Sequence, residues 1–124
     1  MFKVLNFSVL IEGDFNKTIT QEAKVKLDIN GKIQHTVAEG NGPVSALNNA
    51  LKKALSQYFP VIKEVEIEDY QVFITNGKRG ADSAVTVEID FSNGEKTKAK
   101  STDIVQASFS ALITGIQKTL NKAG

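Results

Sequence analysis

Apolar and polar positions alternate along much of the chain, with a period that switches between two and about four residues. Phe2 to Ile11 is rich in Phe, Val, Leu and Ile and reads as a strand. Gly13-Asp14-Phe15-Asn16 supplies turn chemistry. From Ile19 to Ile29, Val25, Leu27 and Ile29 point one way, and Lys24, Lys26 and Asp28 the other. That is the pattern of a half-buried strand. Asn30-Gly31 predicts a tight hairpin, because Asn and Gly tolerate the positive φ of such a turn. The return strand alternates Ile33, His35 and Val37.

The period then lengthens. Glu39-Gly40-Asn41-Gly42-Pro43 leads into Val44, Leu47, Leu51 and Leu55, which fall at helical spacing. Pro43 suits a first helical turn, where its missing N–H costs nothing. This helix is expected to end near Tyr58-Phe59-Pro60. The same order then repeats. Ile67 to Thr75 reads as a strand, and Asn76-Gly77-Lys78-Arg79-Gly80 as a loop. Val85, Val87, Ile89 and Phe91 alternate with Thr86, Glu88 and Asp90, and Asn93-Gly94 predicts a second hairpin. Lys96, Lys98 and Lys100 alternate with Thr97 and Ala99. After N-cap candidates Ser101, Thr102 and Asp103, a second amphipathic helix carries Val105, Phe109, Leu112, Ile116 and Leu120.

The repeat survives an offset test. Val25, Leu27 and Ile29 match Val87, Ile89 and Phe91 at a shift of 62, and Gly31 matches Gly94 at 63. Ala46, Ala50, Leu51, Ala54 and Leu55 match Ala107, Ala111, Leu112, Gly115 and Ile116 at 61. Each helix therefore carries a stripe of small residues four apart. Gly115 in mid-helix costs about 1 kcal/mol relative to alanine, so a close neighbour is expected there. That neighbour is either the helix's own sheet or another helix.

Composition narrows the function classes. The chain has 124 residues, enough for one compact domain or two very small ones sharing a core. Fifteen basic against fourteen acidic residues leave a net charge of +1, so nothing calls for a nucleic-acid partner. The absence of cysteine removes thiolate chemistry and fits a reducing cytosol, so a cytoplasmic location is expected. The apolar start, residues 1–11, is too short to span a bilayer and lacks a signal-peptide cleavage site, so no membrane partner is expected. The lone His35 cannot build a typical zinc site. Asp69, Asp82, Asp90 and Asp103 are scattered, and Ser45, Ser101 and Ser108 have no context that activates a nucleophile. Catalysis, metal and cofactor are therefore not expected. The one loop with binding potential is Gly40 to Pro43, whose helix start offers unpaired N–H groups to an anion; from the residues alone, a strand-to-helix turn that simply needs glycine is the favoured reading.

Glu39-Gly40-Asn41-Gly42-Pro43-Val44-Ser45-Ala46-Leu47, with Ala50-Leu51 beyond, resembles the GxGPVDAL…AL motif of the C-terminal regulatory (LeuA dimer-type) domain of the isopropylmalate and citramalate synthase family. Glu68-Asp69-Tyr70-Gln71-Val72 is similar to that domain's DYxV strand. Ser101-Thr102-Asp103-Ile104-Val105-Gln106-Ala107-Ser108, then Ala111-Leu112, resembles its second helix start. The aromatic-Pro pair Phe59-Pro60 looks closer to the citramalate branch, whereas Lys98-Ala99-Lys100-Ser101 departs from the TVGVS run of the family.

The resemblance implies an α+β fold of two β-β-β-α halves, 1–60 and 61–124, related by pseudo-twofold symmetry with helices packed on antiparallel sheets. It implies one regulatory domain over 1–124, a homodimer, and a catalytic TIM-barrel domain as partner. Its effector would be leucine or isoleucine, bound at the dimer interface for feedback inhibition; a purely structural dimerisation module is the alternative. The implied effector residues are Ile67, Tyr70 and Ile74 on the strand, with Ala84 nearby. The two helix starts join them: Gly40, Asn41, Gly42 and Pro43 with Ala46 beyond, and Thr102, Asp103 and Ile104. Asp82 or Asp103 would meet the ammonium.

Overall fold

A computed structural model describes residues 2–13, 15, 20–74 and 84–123. The chain divides into two compact units, Met1–Lys63 and Glu64–Gly124. The expected turn at 13–16 falls partly, and the loop at 76–80 wholly, outside the described residues.

In the first unit, β1 (Phe2–Glu12), β2 (Thr20–Ile29) and β3 (Lys32–Gly40) form an antiparallel sheet in sequence order, and α1 (Pro43–Leu55) follows. The alternation of β2 sends Ala23, Val25, Leu27 and Ile29 to one side, where all four are fully buried. Burying side chains of the size of Val, Leu and Ile contributes about 1.5–3 kcal/mol each. Asn30 and Gly31 both have positive φ, 52° and 88°, as the two-residue turn joining Ile29 to Lys32 requires. Register then decides the faces of β3. Gln34, Thr36 and Ala38 stand opposite Leu27, Val25 and Ala23, on the helix side. The alternating set Ile33, His35 and Val37 lies on the other, open side, with Ile33 52% and Val37 40% exposed.

This inward set is polar or small because the helix lies close. Thr36 donates its hydroxyl to the Ala50 carbonyl at 2.9 Å. A Cβ on Gly40 would fall 2.8 Å from Ala46 Cα and from the Ser45 carbonyl carbon, so only glycine fits where β3 meets the first turn of α1. Asn49 and Lys53 reach from α1 to the Glu39 and Val37 carbonyls, at 2.9 and 3.1 Å. These side chains occupy backbone acceptors on the outer edge of β3 and so block further strand pairing there. The helix stops at Leu55, three residues short of the expected aromatic-Pro end. Tyr58 and Phe59 both donate their amides to the Leu55 carbonyl, and a 3-10 turn follows at Pro60–Glu64.

The second unit repeats the plan: β4 (Ile67–Ile74), β5 (Val85–Phe91), β6 (Lys96–Ser101) and α2 (Ile104–Ala123), again an antiparallel meander with a helix after it. Val87, Ile89 and Phe91 of β5 are buried beneath α2 residues that include Ala107, Ala111, Leu112 and Ile116. Thr97 donates to the Ala111 carbonyl at 2.9 Å, as Thr36 does to Ala50. Gly115 is explained by Phe91, since a Cβ there would overlap the Cε2–Cζ end of that ring and lie 3.0 Å from Cδ2. In both helices the small stripe therefore lies against the helix's own sheet.

The two hairpins differ despite sharing Asn-Gly. In the second, the Gly94 amide donates to the Phe91 carbonyl and the Phe91 amide to the Glu95 carbonyl, and only the glycine takes positive φ, 89°. That is a longer turn ending in a glycine bulge. It accounts for the change in repeat offset at this point.

Candidate functional site

The two helix starts differ in their chemistry. At α1, Gly42 is the N-cap residue, in extended backbone, and no side chain caps the helix. Pro43 has no N–H, and the Ala46 amide turns back to the Gly42 carbonyl at 2.9 Å. The Val44 and Ser45 amides thus form the polar start of the helix, next to the half-buried Gly42 and exposed Asn41. Ala46 itself is fully buried, so its side chain belongs to the packing against β3 rather than to an open surface. The glycine requirement lies at Gly40, from close packing; a Cβ on Gly42 would meet nothing within 4 Å.

At α2 the start is already occupied by a carboxylate. One oxygen of Asp103 accepts from the Val105 amide at 2.8 Å and the Gln106 amide at 3.1 Å. Ser101 Oγ in turn accepts from the Asp103 amide at 3.1 Å. The negative charge sits at the positive end of the helix dipole, where it is favourable by roughly 0.3–1 kcal/mol. A second carboxylate would be repelled here, and an ammonium attracted.

Strand β4 brings other expected residues to this end of the second unit. Register places Ile67, Tyr70, Val72 and Ile74 opposite Phe91, Ile89, Val87 and Val85, on the helix side of the sheet. A register irregularity between Ile67 and Asp69 keeps Ile67 and Tyr70 on one face although they are three apart. Ile74 pairs with Val85, and Val85 with Ser101, from which the chain passes through Thr102 and Asp103 to Ile104. Ile74 and Ile104 are 69% and 46% exposed, an apolar pair at one end of the unit. Ala84 sits just before Val85 in the same corner, and Thr102 is exposed. Ile67 lies at the other end of β4, about 20 Å away at ~3.3 Å per strand residue. Asp82 falls outside the described residues.

Tyr70, in the middle of β4 and four residues before Ile74, ties the strand to the helix. Its hydroxyl oxygen is 2.8 Å from Ser108 Oγ, and Ser108 donates to the Ile104 carbonyl at 2.7 Å. Ser108 is only 1% exposed. Sequence reasoning passed over Ser108 as a nucleophile without context; the signal was a serine on the buried stripe of a helix, a place that demands hydrogen-bond partners. The first unit has apolar residues in the related places: Val4, opposite Leu27, and Leu47, 61 residues before Ser108.

Comparison with known proteins agrees with this architecture. The family model described as LeuA allosteric (dimerisation) domain matches residues 1–120. The (R)-citramalate synthase of Geobacter sulfurreducens is 39% identical over 126 residues, covering 98% of this chain and 24% of that protein. The (R)-citramalate synthase of Synechocystis is 42% identical over 98 residues, 77% of this chain and 18% of the relative. A 2-isopropylmalate synthase of Afipia carboxidovorans is 31% identical over 104 residues, 82% and 19% respectively. The chain thus spans a quarter or less of the length of these curated relatives. It is a member of the LeuA allosteric (dimerisation) domain family.

Proposed function

We propose that the chain is the feedback-sensing part of an acetyl-CoA-dependent citramalate or 2-isopropylmalate synthase. In this reading, residues 1–124 act as one regulatory domain, pair with a second copy, and bind isoleucine or leucine at the interface between copies. The bound state is then passed to a catalytic TIM barrel, in the cytoplasm. The described residues hold six strands in two antiparallel sheets rather than a parallel barrel, and in this reading catalysis is the work of the TIM-barrel partner. No helix among them is long and apolar enough to cross a membrane.

The observation that carries the reading is the corner of the second unit. Ile74, at the end of β4, and Ile104, at the start of α2, are exposed aliphatic side chains, and Asp103 adds a carboxylate beside Ile104. That combination suits a branched aliphatic group joined to an ammonium. Leucine and isoleucine differ in shape alone, so an apolar surface separates them by about 1–3 kcal/mol. Inhibition further requires that the effector bind one state better than another, about 1.4 kcal/mol for each tenfold shift.

Calorimetric titration of isoleucine, leucine and valine into the chain tests the reading. Saturable heat with isoleucine or leucine is expected, and valine is expected to be the weakest. No heat and no thermal shift with any of the three would leave dimerisation alone as the role.

A further inference from the structure

We infer that two copies of this chain meet along β1: the far edges of the two β1 strands pair antiparallel about a twofold axis at Ser8 and join two three-stranded sheets into one of six strands. The inference rests on the pairing of copies proposed above and assigns the residues that carry it.

The four sheet edges are not alike. On β3, Asn49 and Lys53 occupy the carbonyls of Glu39 and Val37. β6 carries a row of lysines, Lys96, Lys98 and Lys100, of the kind that keeps an edge from pairing. On β4, Glu68 and Asp69 are exposed, and Asp69 accepts from the Tyr70 amide at 3.0 Å. β1 differs from all three. It is the longest strand, and from Val4 to Ile11 it contains no charge and no proline. No strand among the described residues pairs with its far edge. Leu10 is exposed and Ile11 is 59% exposed. An open apolar edge of this length is a template for another strand.

A second β1 is the strand that fits, because β1 is complementary to itself. With Ser8 opposite Ser8 of the second copy, Asn6 faces Leu10 of that copy. Leu5 is an extra residue with no opposite on β2. The same extra residue, toward the second copy, brings Val4 opposite Ile11 and Lys3 opposite Glu12. The faces agree. Lys3, Ser8 and Glu12 stand opposite Asp28, Lys24 and Thr20 on the open face, and Val4 and Ile11 opposite Leu27 and Gln21 on the helix face. A slip of one residue would set helix-face against open-face residues, which the pleat forbids. A slip of two loses both Lys3–Glu12 pairs. The twofold makes each pair occur twice, whereas parallel strands would put like charges together. The dimerisation described for the family makes the occupant a second copy rather than a foreign strand.

The chain has no cysteine, so S8C introduces a single thiol. Opposite residues of an antiparallel pair have Cα atoms roughly 4.5–5.5 Å apart, within the span of a disulfide. Mild oxidation with diamide is expected to convert S8C largely to a covalent dimer on a non-reducing gel. L10C is the control, since its two copies would lie about 13 Å apart at ~3.3 Å per residue, and it should stay mostly uncoupled. Sedimentation equilibrium gives the second measurement. K3E or E12K alone should raise the dimer dissociation constant about 2- to 30-fold, and K3E/E12K should restore it. Within one copy the two residues are about 30 Å apart, so rescue arises only between copies. A wild-type dimer with no S8C coupling, or without rescue by the double exchange, overturns the inference and leaves pairing through another surface. A wild type that stays monomeric at every concentration overturns both.

Discussion

Replacing Gly115 with alanine sets a known gain against a known loss. Alanine is the better helix former, worth about 1 kcal/mol at an interior position. Against this, the new methyl would enter the space held by the Cε2–Cζ end of Phe91. Phe91 is 2% exposed on the central strand of its sheet, so the ring has no route into solvent. Overpacking of this kind costs typically 1–3 kcal/mol. The net expectation is a destabilisation of roughly 1 kcal/mol. The F91L background removes the end of the ring, and there G115A should become neutral or stabilising, by up to about 1 kcal/mol. The two substitutions are thus coupled by about 1–2 kcal/mol. Urea unfolding followed by circular dichroism, at one fixed protein concentration, measures this through the transition midpoints. Stabilisation by G115A in the wild-type background would refute the close approach of α2 to its own sheet.

Substitutions at the turns, the helix cap and the β3–α1 junction probe the same packing. Gly31→Ala should cost about 1–2 kcal/mol from positive φ alone, since no atom lies within 4 Å of its Cβ, and a midpoint shift in urea reads it. Asp103→Ala removes the acceptor of two α2 amides and should cost about 1 kcal/mol, whereas Asp103→Asn, also a good cap, should retain most of it; thermal melts of both variants decide. Gly40→Ala should be more damaging than Gly42→Ala, because only Gly40 lies against the backbone of Ala46 and Ser45; comparing their unfolding midpoints checks the order.

Much of the fold was legible because its signals are local. The alternation on β2 and β5, the two Asn-Gly turns, Pro43 at a helix start and the offset between halves each need only a few neighbouring residues. What was not legible depends on register or on a partner across space. Alternation on β3 showed two faces but not which one meets the helix, and polar Thr36 faces inward because the Ala50 carbonyl satisfies it. Identical Asn-Gly pairs gave different turns, since the flanking pairing, not the dipeptide, sets loop length. The stripes of small residues left the neighbour open; it took the Phe91 ring and Gly40 to show that each helix lies on its own sheet. At the candidate site, resemblance indicated Tyr70, Ile74 and Ile104; register brings Ile74 and the start of α2 to one end of the second unit and leaves Tyr70 in the middle of β4. The buried Ser108 escaped notice because its hydrogen-bond partner Tyr70 is 38 residues away.

The most direct measurement of effector sensing is a residue-resolved NMR titration of the chain with isoleucine and with leucine. Saturable amide shift changes centred on Tyr70, Ile74, Ala84 and residues 102–108 are predicted for at least one of the two. Unchanged spectra at high concentrations of both, or changes that leave this corner untouched, would contradict the account.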